Sequence, residues 1–184
     1  LTLAPPFFVL ATQNPIEQEG TYPLPEAQLD RFMLELPIGY PSREEEEEVA
    51  MRTTGDGTVE VEPVVSAEEL IALQHLVRRV PAPPSLVSLA VRLVRATRPG
   101  EEAARVTRRY VSWGAGPRAS QYLVLGAKAR AAARGAALPT HADVRGVAPA
   151  VLAHRVVPNF EAEADGRTTR DIVAELLEES QGWS

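Results

Sequence analysis

The chain has no cysteine, only 5% aromatic residues and no excess of positive charge. The absence of cysteine excludes disulfides and thiolate metal sites, and fits a reducing compartment. A net charge of -6 leaves no broad electrostatic footprint for nucleic acid. The small basic cluster Arg105, Arg108 and Arg109 therefore reads as a solvated loop or a subunit contact. No apolar run approaches membrane-spanning length, and no basic-then-apolar leader opens the chain. His75, His141 and His154 are scattered without ligand-like spacing, which argues against a histidine metal site. Internal repeats, a heptad seam and low-complexity tracts are also missing. What is present is 45% hydrophobic residues in 184, enough for a packed core. That length suits one ordinary domain, or a partial domain plus a small one.

The rest of the chain is organised around its first forty residues. Phe7-Phe8-Val9-Leu10-Ala11 is an unbroken apolar run that stops at Thr12-Gln13-Asn14-Pro15. Runs without polar alternation predict a strand buried on both faces, as in a parallel sheet covered by helices. Asn14 falls at the carboxyl end of that strand, where open α/β sheets bind ligands, and Pro15 forces a turn. A short helix opens at Pro25 and carries Asp30-Arg31 to its end. A second apolar strand, Phe32–Leu36, follows at once.

Past Tyr40 the strand pattern gives way to helical patterns. Ser42 with Glu45, and Ser66 with Glu69, are capping boxes. Glu44 to Glu48 reads as a solvated helix face whose early carboxylates suit the positive helix end. Val59–Glu62 alternates, as an edge strand or a linker. Leu70, Leu73, Leu76 and Val77 form one apolar stripe; Leu86, Leu89, Leu93 and Val94 form the next, on a helix opened by Ser85. Pro117 sits where a helix tolerates proline. That helix runs to about Arg134, with Tyr122, Leu123, Leu125 and Gly126 packed. Thr140 opens another helix, with Asp143 three residues on. A last helix spans about Thr169 to Glu179. Trp113 reads as an aromatic packing anchor more readily than as a base-stacking residue.

Three segments, in order, carry a resemblance that covers nearly the whole chain. Ala11-Thr12-Gln13-Asn14-Pro15, Pro25-Glu26-Ala27-Gln28-Leu29-Asp30-Arg31-Phe32 and Gly114-Ala115-Gly116-Pro117-Arg118-Ala119-Ser120 resemble the sensor 1, arginine-finger and sensor 2 segments of MoxR-family AAA+ ATPases. The resemblance implies a partial α/β AAA+ core with two parallel-type strands in residues 1–40. An all-α helical lid with its linker helix would follow in residues 41–184, making the chain mostly helical overall. It also implies a cytoplasmic, ring-forming, hexameric protein that uses ATP and Mg2+ for chaperone-like remodelling. Proteins with von Willebrand factor A-type domains are the expected partners. The phosphate loop Gly-x-x-x-x-Gly-Lys-Ser/Thr is absent, as is a strand ending in a magnesium-binding acidic pair. The chain therefore reads as the C-terminal part of a longer protein whose upstream residues hold ATP and Mg2+, and alone it should be inactive. In the AAA+ strand order the two strands flank the missing phosphate-loop strand. They should lie roughly 10 Å apart, parallel, with no ladder bonds between them.

Phosphoryl transfer asks a protein mainly for positioning and charge neutralisation. Asn14, a neutral amide, would hold the attacking water or touch the terminal phosphate; locally it need only shape the turn before Pro15. Arg31 would be a finger supplied to a neighbour's nucleotide, against the plainer reading of a surface ion pair with Asp30. Asp30 would orient that arginine or cap the helix. Arg118, in the first turn of its helix, would reach a phosphate from the lid side, in its own or the neighbouring subunit; the plainer reading is bonding to carbonyls. Gly116 replaces a serine common in relatives. A competing reading keeps the helical bundle as a non-catalytic interaction module. The two readings differ in whether Asn14, Arg31 and Arg118 converge on a nucleotide.

Overall fold

The computed structural model describes residues 4–13, 24–55 and 61–183. The described chain is dominated by helices. They are α1 (Glu26–Leu29), α2 (Arg43–Thr53), α3 (Ala67–Arg79), α4 (Pro84–Ala96), α5 (Arg105–Tyr110), α6 (Pro117–Ala133), α7 (His141–Leu152), α8 (Phe160–Ala164) and α9 (Thr169–Glu179). A small antiparallel pair, β1 (Val111–Trp113) and β2 (Val157–Pro158), has Val111 opposite Pro158 and Trp113 opposite Val157. A 3₁₀ turn at Ala153–Arg155 extends α7.

Local chemistry sets most helix starts. Ser42 and Ser66 accept from the backbones of Glu45 and Glu69, whose carboxylates return the bond. Thr168 with Asp171 repeats the device, and at Thr140 the backbone N–H and the hydroxyl both donate to the Asp143 carboxylate, at 2.8 and 2.9 Å. Each cap is worth about 1 kcal/mol. α4 opens on Pro84 itself, with Pro83 as its N-cap, so the proline at the first helical position begins the helix before Ser85. Glu44 to Glu48 lies on an exposed helix, and Arg43 bonds Glu47 at 2.9 Å.

The core sits among α4, α6, α7 and α9. Leu86, Leu89, Leu93 and Val94 meet Leu123, Val144, Val151, Leu152, Ile172 and Leu176, all buried. α6 presents Ala119, Leu123, Ala127 and Ala131 at four-residue spacing, a low ridge that lets neighbours come close. Gly126 completes the fit: a Cβ there would stand 2.8 Å from Val147 Cγ2 on α7. The stripe of α3 is only partly covered; Leu73 and Leu76 stay exposed.

The two early strand candidates are not paired. Residues 7–12 and 32–36 have no strand assignment, and no backbone hydrogen bond joins the two stretches among the described residues. Strand character comes from a ladder, and neither stretch has a neighbour to complete one. Phe7, Phe8, Val9 and Leu10 are all exposed. Of the alternating residues 59–62, the first two lie outside the described residues and 61–62 form no strand.

Candidate functional site

Asn14 lies outside the described residues. Arg31 follows α1, is exposed, and makes no hydrogen bond or ion pair through its guanidinium to another described residue. Its backbone is fixed instead: the Arg31 carbonyl accepts from the Tyr122 hydroxyl on α6 at 3.1 Å.

Arg118 is the second residue of α6, and a tightly stapled loop aims it. Thr97, at the end of α4, donates to the Val94 carbonyl at 2.7 Å and accepts from the Ala115 backbone at 2.9 Å. Arg98 donates to the Ala115 carbonyl at 2.9 Å. The loop comes so close that a Cβ on Gly114 would meet the Thr97 carbonyl oxygen at 2.2 Å. Glycine is needed there because backbone, not a movable side chain, fills the space. Gly116 caps α6 in ordinary extended geometry with open space around it, so a serine would fit as well.

Arg118 bonds neither carbonyls nor solvent alone. Its Nη1 donates to Asp30 Oδ2 at 2.6 Å. The other carboxylate oxygen of Asp30 accepts from Arg155 Nε at 2.9 Å. Arg155 was not singled out from the sequence, yet its side chain is only 1% exposed and it organises the site. It donates to the Asp30 carbonyl at 2.8 Å, to the carbonyls of Phe32 and Met33, and to that of Val151 in the last turn of α7. Its guanidinium lies 5.2 Å from the Tyr122 ring centroid. Burial pulls its pKa down from the ordinary arginine value, while Asp30 opposes the shift.

The same segment is fastened further along. The Glu35 amide donates to the Ala150 carbonyl at 2.8 Å, filling a position that the end of α7 leaves unpaired. Arg170 on α9 bonds the Glu35 carboxylate at 2.7 Å. His154 Nε2 lies 3.1 Å from the Phe32 carbonyl, and its Nδ1 is buried with no hydrogen-bond partner, 4.0 Å from Glu35. Desolvation pushes the His154 pKa down, so the ring stays neutral and donates. Asp30–Glu35 is thus clamped to α6, α7 and α9 by groups more than eighty residues away in sequence.

Trp113 is 71% exposed and does not act as a packing anchor, because β1 turns it outward at the edge of a two-stranded sheet. Arg109 is paired with Glu161 and Asp165, and Arg108 with the carbonyls of Glu101 and Ala103, so they form no free basic patch. A cleft of about 540 Å³ is lined by Arg105, Arg167, Asp171, Glu175, Glu178 and Glu179. With four carboxylates against two guanidiniums, it is a poor seat for phosphate. The described residues contain no cluster of acids and histidines that would hold a metal ion, and none of their helices is long and apolar enough to cross a membrane.

Comparison with known proteins places both parts of this geometry. Residues 1–34 match the ATPase family associated with various cellular activities (AAA), and residues 103–176 match the AAA lid domain. The chain is 40% identical over 174 residues to the chaperone MoxR1 of Mycobacterium tuberculosis, covering 94% of this chain and 46% of that one. It is 40% identical to the uncharacterised protein YeaC of Bacillus subtilis, covering 96% and 53%. Protein MoxR of Methylorubrum extorquens is 34% identical, with coverage of 80% and 47%. The chain thus spans about half the length of these relatives. A crystal structure of a candidate ATPase from Cytophaga hutchinsonii superposes with a TM-score of 0.87 at 38% identity, covering 97% of this chain and 55% of that one. The Asp30–Arg118 bond joins the two matched regions.

Proposed function

From the premise that the chain belongs to the MoxR-like AAA ATPases, we propose that it is the sensing and lid portion of a ring-forming ATPase. That ATPase couples ATP binding and hydrolysis to chaperone-like remodelling of other proteins. In this reading residues 1–40 complete an α/β nucleotide-binding core and residues 41–184 are linker and lid. The whole protein works in the cytoplasm as a hexamer, with von Willebrand factor A-type domain proteins as candidate partners. Bound ATP supplies the phosphoryl group. Its phosphates suit the guanidiniums of Arg31 and Arg118, whose planar donors match phosphate oxygens. Mg2+ would accompany ATP as the family implies; the described residues offer no acidic cluster to hold it, and no step is routed through it. Asn14 keeps its proposed role at the attacking water.

The observation that carries the reading is the pairing of Asp30 with Arg118. It joins, within a single subunit, the segment that carries Arg31 to the helix that carries Arg118, and Tyr122, which bonds the Arg31 carbonyl, lies one turn beyond Arg118. We assign both to one nucleotide, that of a neighbouring subunit, as the resemblance of the Arg31 segment to an arginine finger implies.

The test is subunit mixing in the whole ATPase. Arg31→Ala should abolish turnover and leave nucleotide binding in place, since fingers are worth roughly 10³–10⁵ in rate. Arg118→Ala should lower turnover on the same side of the interface. Mixing either variant with subunits whose phosphate loop is disabled should restore part of the activity, because one intact composite site can form. Mixing the two arginine variants with each other should restore little, since each spoils the same surface. Rescue in that last mixture, or none in the others, would refute the shared surface.

A further inference from the structure

We propose that Asp30 is a positioning residue for Arg118, a carboxylate that holds this arginine in the absence of nucleotide and competes with phosphate for it. The proposal rests on the reading above, in which Arg118 meets a nucleotide. The asymmetry of the two arginines on Asp30 carries it. Arg155 is buried and has five acceptors, of which Asp30 Oδ1 is one. Withdrawing it from Asp30 would strand a buried guanidinium, which is strongly unfavourable. Arg118 is the opposite case: its side chain is 43% exposed and its one hydrogen bond to a described residue goes to Asp30. Leaving Asp30 costs it only an ion pair of the half-exposed kind, and Arg155 remains to neutralise the carboxylate. Arg155 is therefore the fixed partner and Arg118 the exchangeable one.

A second feature makes exchange productive. The stapled loop from Thr97 to Ala115 fixes the start of α6, so the Arg118 backbone is held whichever partner its side chain takes. Asp30 precedes Arg31, and the Arg31 carbonyl is fixed by Tyr122. Release of Arg118 thus requires a side-chain swing and no rearrangement of the segment that presents Arg31. A ligand bound only by the released form has its apparent affinity reduced by the released fraction. If the pair with Asp30 leaves Arg118 released about one-fifth of the time, removing the carboxylate tightens phosphate binding about fivefold.

The experiment uses the whole ATPase, assembled, with a fluorescent non-hydrolysable ATP analogue as probe. Asp30→Asn keeps an oxygen facing Arg155 and removes the charge that holds Arg118. It should tighten the analogue's Kd about fivefold in the wild-type background and leave it unchanged in the Arg118→Ala background. Asp30→Glu, which restores the carboxylate, should bring Kd back to within about twofold of wild type. Equal effects of Asp30→Asn in both backgrounds, or weaker binding only where Arg118 is present, would overturn the proposal. A second measurement needs no variant. Saturating analogue should speed hydrogen exchange of the Glu35 amide about threefold, because the segment loses one of its clamps. Unchanged or slower exchange would also overturn the proposal, and serves as the deciding test if Asp30→Asn does not fold. If wild-type protein binds no analogue, the functional reading falls and this proposal with it. If it binds and Arg118→Ala weakens it while Asp30→Asn has no Arg118-dependent effect, only the positioning role falls.

Discussion

Replacing Arg155 with methionine should undock the Asp30–Glu35 segment without unfolding the helical domain. The side chain is buried and bonds the Asp30 carboxylate and carbonyl, the Phe32 and Met33 carbonyls and the Val151 carbonyl. Breaking a buried charged pair by removing one partner commonly costs about 3–5 kcal/mol. Here the cost is softened, because Asp30 is 28% exposed in its side chain and a released segment can rehydrate its carbonyls. Arg118, Tyr122, His154 and Arg170 also stay in place. The working figure is therefore about 2–3 kcal/mol, expressed as easier local opening rather than global instability. The Glu35 amide is the reporter, since it is protected by the Ala150 carbonyl in the last turn of α7. Its exchange should accelerate about 30- to 150-fold, while amides in the middle of α6 and α9 keep their protection. Methionine fills most of the volume over Tyr122 and avoids leaving a large void. Unchanged exchange at Glu35 would show that Arg155 does not hold the segment. An equal acceleration throughout α6, α7 and α9 would show that it supports the core instead.

Acidification should loosen the same contact: burial lowers the His154 pKa, so below its unfolded value of 6.5 the unfolded chain binds more protons and stability falls with pH. The groups facing it are Glu35, Asp30 and Arg155, and the melting temperature of wild type should drop from pH 7 to 5.5 more than that of His154→Gln. Asp143 has the opposite sign; bonds from Arg134 foremost, then Thr140, hold its carboxyl far below the usual range despite burial. Its contribution is present above the unfolded value of 3.8 and lost as pH falls below it, so Asp143→Asn should cost about 2–3 kcal/mol in denaturant melts at neutral pH and progressively less below pH 3.8. Gly114→Ala should destabilise by about 2 kcal/mol or more and weaken nucleotide binding through Arg118, because the new Cβ collides with the Thr97 carbonyl; Gly116→Ser on the same loop should be close to neutral in the same melts.

Helix starts were legible in the sequence because caps are local. Ser42, Ser66 and Thr140 each find their acidic partner three residues on, inside the window that a reader scans. The last helix was legible because Ile172, Val173 and Leu176 repeat at helical spacing. α5 was not: Arg105–Tyr110 is six residues long, rich in arginine, and has no capping side chain of its own. What holds it is Glu179, seventy-odd residues later, whose carboxylate accepts from the backbones of Arg105 and Val106 at 3.0 and 3.1 Å. β1 and β2 escaped notice for the same reason. Three residues against two make no pattern, and their pairing joins segments more than forty residues apart. The early apolar run reads as a strand from composition, but a ladder needs a partner chain segment that composition cannot supply.

The site divides along the same line. Arg31 and Arg118 are visible because each sits in a motif a few residues long. Asp30 stood beside Arg31 in plain view, yet its meaning depends on a contact across 88 residues to Arg118 and one across 125 to Arg155. Arg155 has no local signature at all: it follows a histidine, in a 3₁₀ turn at the end of a helix interrupted by Pro149. One physical cue was available. An arginine placed one residue after the apolar stretch Val151-Leu152-Ala153 is costly to bury without an acid, and the aspartate beside Arg31 is a ready candidate. Charge pairing of this kind limits the partners without choosing one, since 25 acidic residues compete for the role. Here the choice is made by geometry, because the last turn of α7 offers the Ala150 and Val151 carbonyls on the side where Asp30–Glu35 runs. The Asp30–Glu35 segment docks where helix-end acceptors await donors, and Arg155 docks with it because it can serve both.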